Sequence, residues 1–311
     1  MTMWALGAGV ALVIVAGLAL QFAISRNGPA VLSAVDRITG GSGEARLVAS
    51  ISTGDHPAQK LIVWGPEAEA GSRESLPVLV FVHGGSWRSG DPSDYGFIGR
   101  AFVPKGFVVV LAGYRLHPDG KYPSMVEDTA EAVAWTAREI SQYGGDANRI
   151  VIAGHSAGAY NVVMTALEER WLGRKGLSTK DVAGVIGLSG PYDFYPFDSE
   201  STVDAFGHAA EPETTQPIAH VRADSPPALL IHGANDTLVR PRNSQELAGR
   251  MVAAGGDVQT HFYPAMEHND PLISLASPWR NSRDVDETIA EFARSVTARD
   301  TTSVPVQGEM R

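Results

Sequence analysis

Five short, nearly continuous apolar runs constrain the fold of this chain more than any other feature: Val78 to Val82, Phe107 to Leu111, Ile150 to Ala153, Val182 to Leu188 and Ala228 to Ile231. A strand with one face in water alternates apolar and polar residues. A strand that is apolar throughout must be covered on both faces, the condition met by a parallel sheet between two helical layers. Stretches with helical spacing separate most of these runs. Between Ser124 and Ser141, Val126, Ala130, Val133, Ala134, Ala137 and Ile140 fall on one face, and Ser124 with Glu127 has the pattern of a capping box. Val285, Ile289, Phe292 and Val296 mark a last amphipathic helix. Ahead of the first apolar run, Arg46 to Ser52 and Lys60 to Trp64 read as an antiparallel hairpin. The expected fold is therefore α/β, a doubly wound, mostly parallel sheet with right-handed crossovers.

The N-terminus has a different physical character. From Trp4 to Ile24 the only polar side chain is Gln21, giving about the 20 apolar residues a helix needs to cross a hydrocarbon core. Residues 1–26 are thus expected to be a membrane-spanning helix, with lipid as its partner. A signal peptide cleaved after Ser25 is the rival reading, disfavoured by the length of the run and by the lack of a basic residue before it. Arg26, Arg37 and Arg46 follow the span and favour a cytoplasmic catalytic domain. The Asn27-Gly28-Pro29 and Gly40-Gly41-Ser42-Gly43 runs mark residues 27–43 as a linker, so that the catalytic domain spans 44–298 and residues 299–311 form a polar tail. Within the domain, 191–227 is rich in Phe, Tyr and acidic residues and is expected to form a small cap over the site.

Charge and composition remove several functions. With 35 acidic residues against 25 basic ones, and no basic cluster interleaved with aromatics, nucleic acid is not an expected partner. The chain contains no cysteine, which excludes disulfides, thiolate zinc sites and a cysteine nucleophile. Glu267-His268 does not extend to a zinc-binding H-E-x-x-H pattern. Neither a metal nor another cofactor is expected.

The chemistry is carried by oxygen and nitrogen. Gly154-His155-Ser156-Ala157-Gly158 follows a strand and precedes a helix-compatible stretch, the context of a nucleophile elbow in which small neighbours let a strained serine project from the sheet. His83-Gly84-Gly85-Ser86-Trp87 ends the strand Val78 to Val82 and is placed to supply backbone N–H groups to an oxyanion. The expected donors are Gly85, Ser86 and Ala157, with Gly84 as a substitute. Trp87 is expected to wall the substrate pocket, and His83 to shape the loop without moving protons.

An acid and a base should follow the serine, each beyond a strand end. Asp236, in His232-Gly233-Ala234-Asn235-Asp236, stands beyond the strand Ala228 to Ile231; Asp193 is its chief rival, and Asp224 lies before that strand. Only His261 and His268 come later than Asp236. His261 sits within an alternating strand, Val258 to Tyr263, whereas His268 lies on the loop after it. Ser156, His268 and Asp236 are therefore the candidate nucleophile, base and orienting acid, and His155 is read as structural.

These motifs, together with Tyr114-Arg115-Leu116 and Gly144-Gly145-Asp146 through Asn148-Arg149-Ile150, resemble those of α/β-hydrolase carboxylesterases. The H-G-G-x-W loop is similar to that of the branch containing arylformamidases and isoprenylcysteine methylesterases. The resemblance spans roughly residues 76–270 and implies hydrolysis of a small-molecule ester with a small or medium acyl chain through an acyl-serine. An arylformamidase-type amidase is the alternative enzyme, and an inactive membrane-tethered binding protein on a hydrolase scaffold is the alternative of another class. Ser86 departs from the third glycine of the hormone-sensitive-lipase-like branch, and the N-terminal span is absent from soluble members.

Overall fold

The computed structural model describes residues 23–24, 26–40, 43–66 and 75–298. The apolar runs form strands, and eight strands make one sheet: β1 (Ala45–Ser52), β2 (Lys60–Pro66), β3 (Leu76–Val82), β4 (Val108–Ala112), β5 (Gly145–His155), β6 (Gly184–Leu188), β7 (Ala228–Gly233) and β8 (Val258–Tyr263). Their spatial order is β1-β2-β4-β3-β5-β6-β7-β8. β2 runs antiparallel to both β1 and β4, and every pairing from β4 across to β8 is parallel. At the centre, Ile152 of β5 sits between Val80 and Val185, so its backbone is bonded on both sides and its side chain must be covered by helices. Parallel strands end their chains at one edge of the sheet, and the loops leaving β3, β5, β7 and β8 converge there.

Helices cover both faces. On one lie α3 (Ser124–Glu139), α4 (Ala157–Leu167), α5 (Glu169–Gly173) and α7 (Arg242–Ala253), packed with the even-numbered side of β3, Val78, Val80 and Val82. On the other, α2 (Gly96–Phe102) and α9 (Val285–Val296) pack against Leu79 and Phe81. Alternation along one strand thus feeds two separate cores. At about 2 kcal/mol for each fully buried Leu, Ile or Phe, these two layers hold the sheet. Between β6 and β7 the expected cap segment forms α6 (Glu200–Phe206) and short turns at Pro212–Thr215 and Pro217–His220.

Two expectations from sequence are corrected. The linker expected at 27–43 is instead a helix, α1, over residues 26–39, closed by Gly40 at φ +121°. Its inward face carries Leu32, Ser33 and Asp36, all buried. Asp36 Oδ2 accepts from Arg100 Nε of α2 at 2.5 Å, and its Oδ1 accepts from the Ser277 N–H at 2.8 Å. Arg100 also donates to the Ser33 carbonyl and hydroxyl at 3.0 and 2.9 Å. Two of the three buried positions are polar, whereas the apolar residues at helical spacing, Val31, Ala34, Val35 and Ile38, are half-buried or exposed, so the pattern reads as no buried face beside Gly28, Pro29 and the glycines at 40–43. The folded body therefore begins before residue 44. The second correction concerns Ser124, which lies inside the first turn of α3 and makes no cap; the Pro123 carbonyl accepts from Val126 and Glu127 instead. The Glu127 carboxylate turns toward Arg115 and Arg174.

The expected membrane span, Trp4 to Ile24, lies outside the described residues except for its last two positions, and so does the tail at 299–311. Among the described residues no helix is long and apolar enough to cross a membrane.

Candidate active site

Ser156 sits between the end of β5 and the first residue of α4 with φ 55° and ψ −121°. A non-glycine residue there is strained by roughly 1–3 kcal/mol, a cost sustained only where surrounding bonds over-determine it. Its N–H donates to Leu188 O of β6 at 2.8 Å, and its carbonyl accepts from Tyr160 N at 3.1 Å. α4 crosses so close to β3 that a Cβ on Gly158 would lie 2.2 Å from Val82 O. Close approach of helix and strand is thus what demands glycine two residues after the serine.

The three residues expected to share a proton relay meet. His268, on the loop after β8 and before α8 (Asp270–Ile273), places Nε2 2.9 Å from Ser156 Oγ and Nδ1 2.7 Å from Asp236 Oδ2. The carboxylate holds the proton on Nδ1, which leaves Nε2 free to accept the serine hydroxyl. Asp236 Oδ1 accepts from the N–H groups of Leu238 and Val239, each at 2.9 Å. Burial alone would push this carboxyl up, but hydrogen bonds from His232 and His268 outweigh it and hold the group well below the usual carboxylate range. Asp236 is therefore an anion able to stabilise an imidazolium beside it.

His232 and His155 extend this constellation. The fully buried His232 ring lies against the acid, with Nε2 3.2 Å from Asp236 Oδ2 and 2.8 Å from Val239 O. Both neighbours of Nε2 are acceptors, so Nε2 carries the proton and Nδ1 accepts from Ser244 Oγ at 2.8 Å. Sequence reasoning placed His232 only within a motif; its position four residues before the acid was a usable signal, since both ends of one tight strand-end loop tend to meet. His155 Nε2 is 3.0 Å from the His268 carbonyl, and burial pushes its imidazole down to about 3. A neutral His155 donates that bond and ties the base loop to the elbow.

The loop after β3 lies alongside. Gly85 has φ +117°, and a Cβ there would fall 1.9 Å from Ser89 O, so only glycine permits the turn in which Arg88 and Ser89 N–H both bond Gly85 O at 3.0 Å. Neither the Gly85 nor the Ser86 N–H donates to another backbone group among the described residues. The N–H of Ala157, first in α4, has no intrahelical acceptor. His83 stacks on Tyr114 at 4.6 Å and bonds Gly84 O through Nδ1 at 2.7 Å, with burial lowering its pKa to about 4. It is a neutral buttress of the loop.

Trp87, expected to wall the substrate pocket, is 3% exposed. Its Nε1 donates to Asn161 Oδ1 at 3.2 Å, and Phe206, Tyr160 and Phe194 surround its ring at 4.9 to 6.1 Å. It joins the loop, α4 and the segment between β6 and β7. Arg88, the next residue, pairs with Glu200 and Asp204 of α6. The rival residues stay outside: the Asp193 N–H bonds Asn243 Oδ1, Asp224 pairs with Arg222, and His261 remains in β8 opposite Ile231 with its ring near Tyr263. A groove of about 710 Å³ lined by Arg100, Lys105, Arg280, Arg283 and Glu287 lies away from the triad. Its cations are already paired with Asp36, Asp286, Glu287 and Asp270.

The family model described as BD-FAE matches residues 67–251, a span holding the loop after β3, the elbow and Asp236. The chain belongs to the BD-FAE family. The matched span stops before His268. An isoprenylcysteine α-carbonyl methylesterase of Arabidopsis thaliana is 28% identical over 258 residues, covering 76% of this chain and 59% of the relative. Esterase LipC of Mycobacterium tuberculosis is 28% identical over 221 residues, covering 64% and 54%. The chain thus spans little more than half the length of these relatives. Among solved structures, esterase B from Lactobacillus rhamnosis, inhibited by a tributyrin phosphonate, superposes with a TM-score of 0.73 at 18% identity over 90% of this chain and 94% of that one. This likeness places the BD-FAE chain in the α/β-hydrolase fold.

Proposed function

We propose that the protein is a serine esterase that hydrolyses carboxylic esters of small or medium acyl chain through an acyl-serine intermediate. The observation that carries this reading is the unbroken relay from Ser156 Oγ to His268 Nε2 at 2.9 Å and from His268 Nδ1 to Asp236 Oδ2 at 2.7 Å, on a strained elbow beside a glycine loop. Ser156 attacks the ester carbonyl while His268 takes its proton; His268 returns that proton to the departing alcohol, and water repeats the sequence on the acyl-serine. Asp236 holds the imidazole and stabilises its charged form. The N–H groups of Gly85, Ser86 and Ala157 receive the oxyanion. The esterase names of the relatives agree with this reading.

The segment Trp4 to Ile24 is read as a membrane anchor, with Arg26, Arg37 and Arg46 favouring a cytoplasmic catalytic body. Support for this comes from the apolar sequence. Retention of the full chain in membranes washed with high salt is the expected result, because burial and not charge holds it; a released protein beginning at Arg26 would show a cleaved signal peptide.

The test of the esterase reading is labelling with a fluorophosphonate followed by mapping of the modified residue. The adduct is expected on Ser156. An unlabelled chain, or an adduct elsewhere, overturns the assignment.

A further inference from the structure

The path of α1 decides where the N-terminal segment leaves the body. β1 starts at the sheet edge opposite the triad, since Ala45 pairs with Pro66 whereas Ser52 pairs with Lys60, at the Ala112 end of β4. α1 precedes β1 and must run from the active-site edge to the far one. Contacts agree at both ends. Asn27 Nδ2 donates to Asp94 Oδ2 at 2.7 Å, in the turn Pro92–Tyr95 that follows the glycine loop and whose Tyr95 ring stacks on His83 at 5.7 Å. Farther along, Asp36 is bound by Arg100 and Ser277, and Ser277 Oγ donates to Thr39 O at 3.1 Å. A helix of this length spans about 20 Å. Ile24, helical and half exposed just ahead of α1, therefore lies near the rim that carries Ser156.

Building on the reading of Trp4 to Ile24 as a bilayer anchor, we propose that the active-site rim docks on that same bilayer and that the ester reaches Ser156 from the membrane. α1 is bonded into the body through the buried Asp36, which fixes the end of the described chain that faces the segment against the body. Leu238 on the acid loop, with Tyr195 and Val203 on the cap, present large exposed apolar side chains there. Ile38, Leu47, Val48 and Val252 are also exposed, at the opposite edge; what separates the two sets is the point at which the apolar segment leaves the body. Glu200 and Asp204 of the cap are matched by Arg88, which leaves Asp198, Glu211 and Glu213 as its negative charge, so the surface it fits is a zwitterionic one and not an anionic one. The substrate class is an ester borne on an amphiphile that partitions into lipid.

The absence of cysteine permits single spin labels on the full chain. Labels are placed at Val203→Cys, Leu238→Cys, Ile38→Cys and Val252→Cys, and the chain is reconstituted in phosphatidylcholine vesicles. Side chains seated in the interface lie about 5–10 Å into the headgroup region, so accessibility to oxygen relative to a water-soluble nickel chelate should be about threefold higher or more at 203 and 238 than at 38 and 252. Equal ratios at all four sites, with protein still floating with the vesicles, would overturn the docking and leave the anchor intact. Failure to float would overturn the anchor reading and the docking with it, while fluorophosphonate labelling would still report the esterase. Val203→Glu should slow hydrolysis of a vesicle-borne short-acyl ester of a long-chain alcohol several-fold and leave a water-soluble ester of the same acyl group unchanged; equal rates with wild type on both substrates would refute delivery from the membrane.

Discussion

Asp36 gives the sharpest contrast between a linker and a structural helix. It has no exposed surface, and Arg100, its partner at 2.5 Å, is 7% exposed. Asp36→Ala leaves the Arg100 guanidinium buried without its carboxylate and the Ser277 N–H without its acceptor. Removing one partner of a buried ion pair costs about 3–5 kcal/mol, and a body of this size loses about 2–4 °C per kcal/mol. The melting temperature of the full chain, followed by circular dichroism in nanodiscs, should fall by roughly 10 °C. A double variant, Asp36→Leu with Arg100→Met, should recover the part of the loss due to the unpaired guanidinium, since two apolar groups need no partner, and keep the part due to the Ser277 N–H. A linker predicts no change in either variant. A shift below about 2 °C in Asp36→Ala would refute the reasoning.

Ser156→Ala should lower kcat by about 10⁶ with folding intact; even a tenth of wild-type turnover of a short ester would exclude Ser156 as nucleophile. Asp236→Asn should cost about 10⁴ in kcat by favouring the wrong tautomer of His268, whereas Asp193→Asn and His261→Ala should retain near-normal rates, and the reverse order would move the acid to the loop after β6. His232→Leu removes one of the four bonds to the acid, and the loss of a bond to a charged group, about 1.5–3 kcal/mol, should lower kcat by about 10–100-fold with KM little changed; an unchanged kcat would make His232 a packing residue only. Burial lowers the pKa of His83 to about 4 and of His155 to about 3, so the unfolded chain, with histidines near 6.5, binds more protons below that pH. Stability should therefore fall as pH drops from about 6.5, by about 2 kcal/mol per histidine near pH 5, and urea midpoints that stay level between neutral pH and pH 5 would contradict it.

The chain carries its sheet in plain view. Strands such as Val78 to Val82 must be covered on both faces, and that requirement survives any tertiary arrangement, so the apolar runs, the helix at α9 and the elbow at Ser156 were legible from residue order alone. Asp236 and His268 were legible for a related reason: strand ends of a parallel sheet converge at one edge, so position after a strand stands in for position in space. What order could not supply was any feature made by partners distant in the chain. Asp36 reads as a linker residue until Arg100 and Ser277, 64 and 241 residues away, fold against it. Trp87 reads as a pocket wall until Phe194, Phe206 and Tyr160 enclose it. His232 becomes part of the acid's environment only when the loop after β7 turns back on itself. Local periodicity records which face of an element is buried, but a buried polar group is stabilised by its particular partner, and only the tertiary structure names that partner.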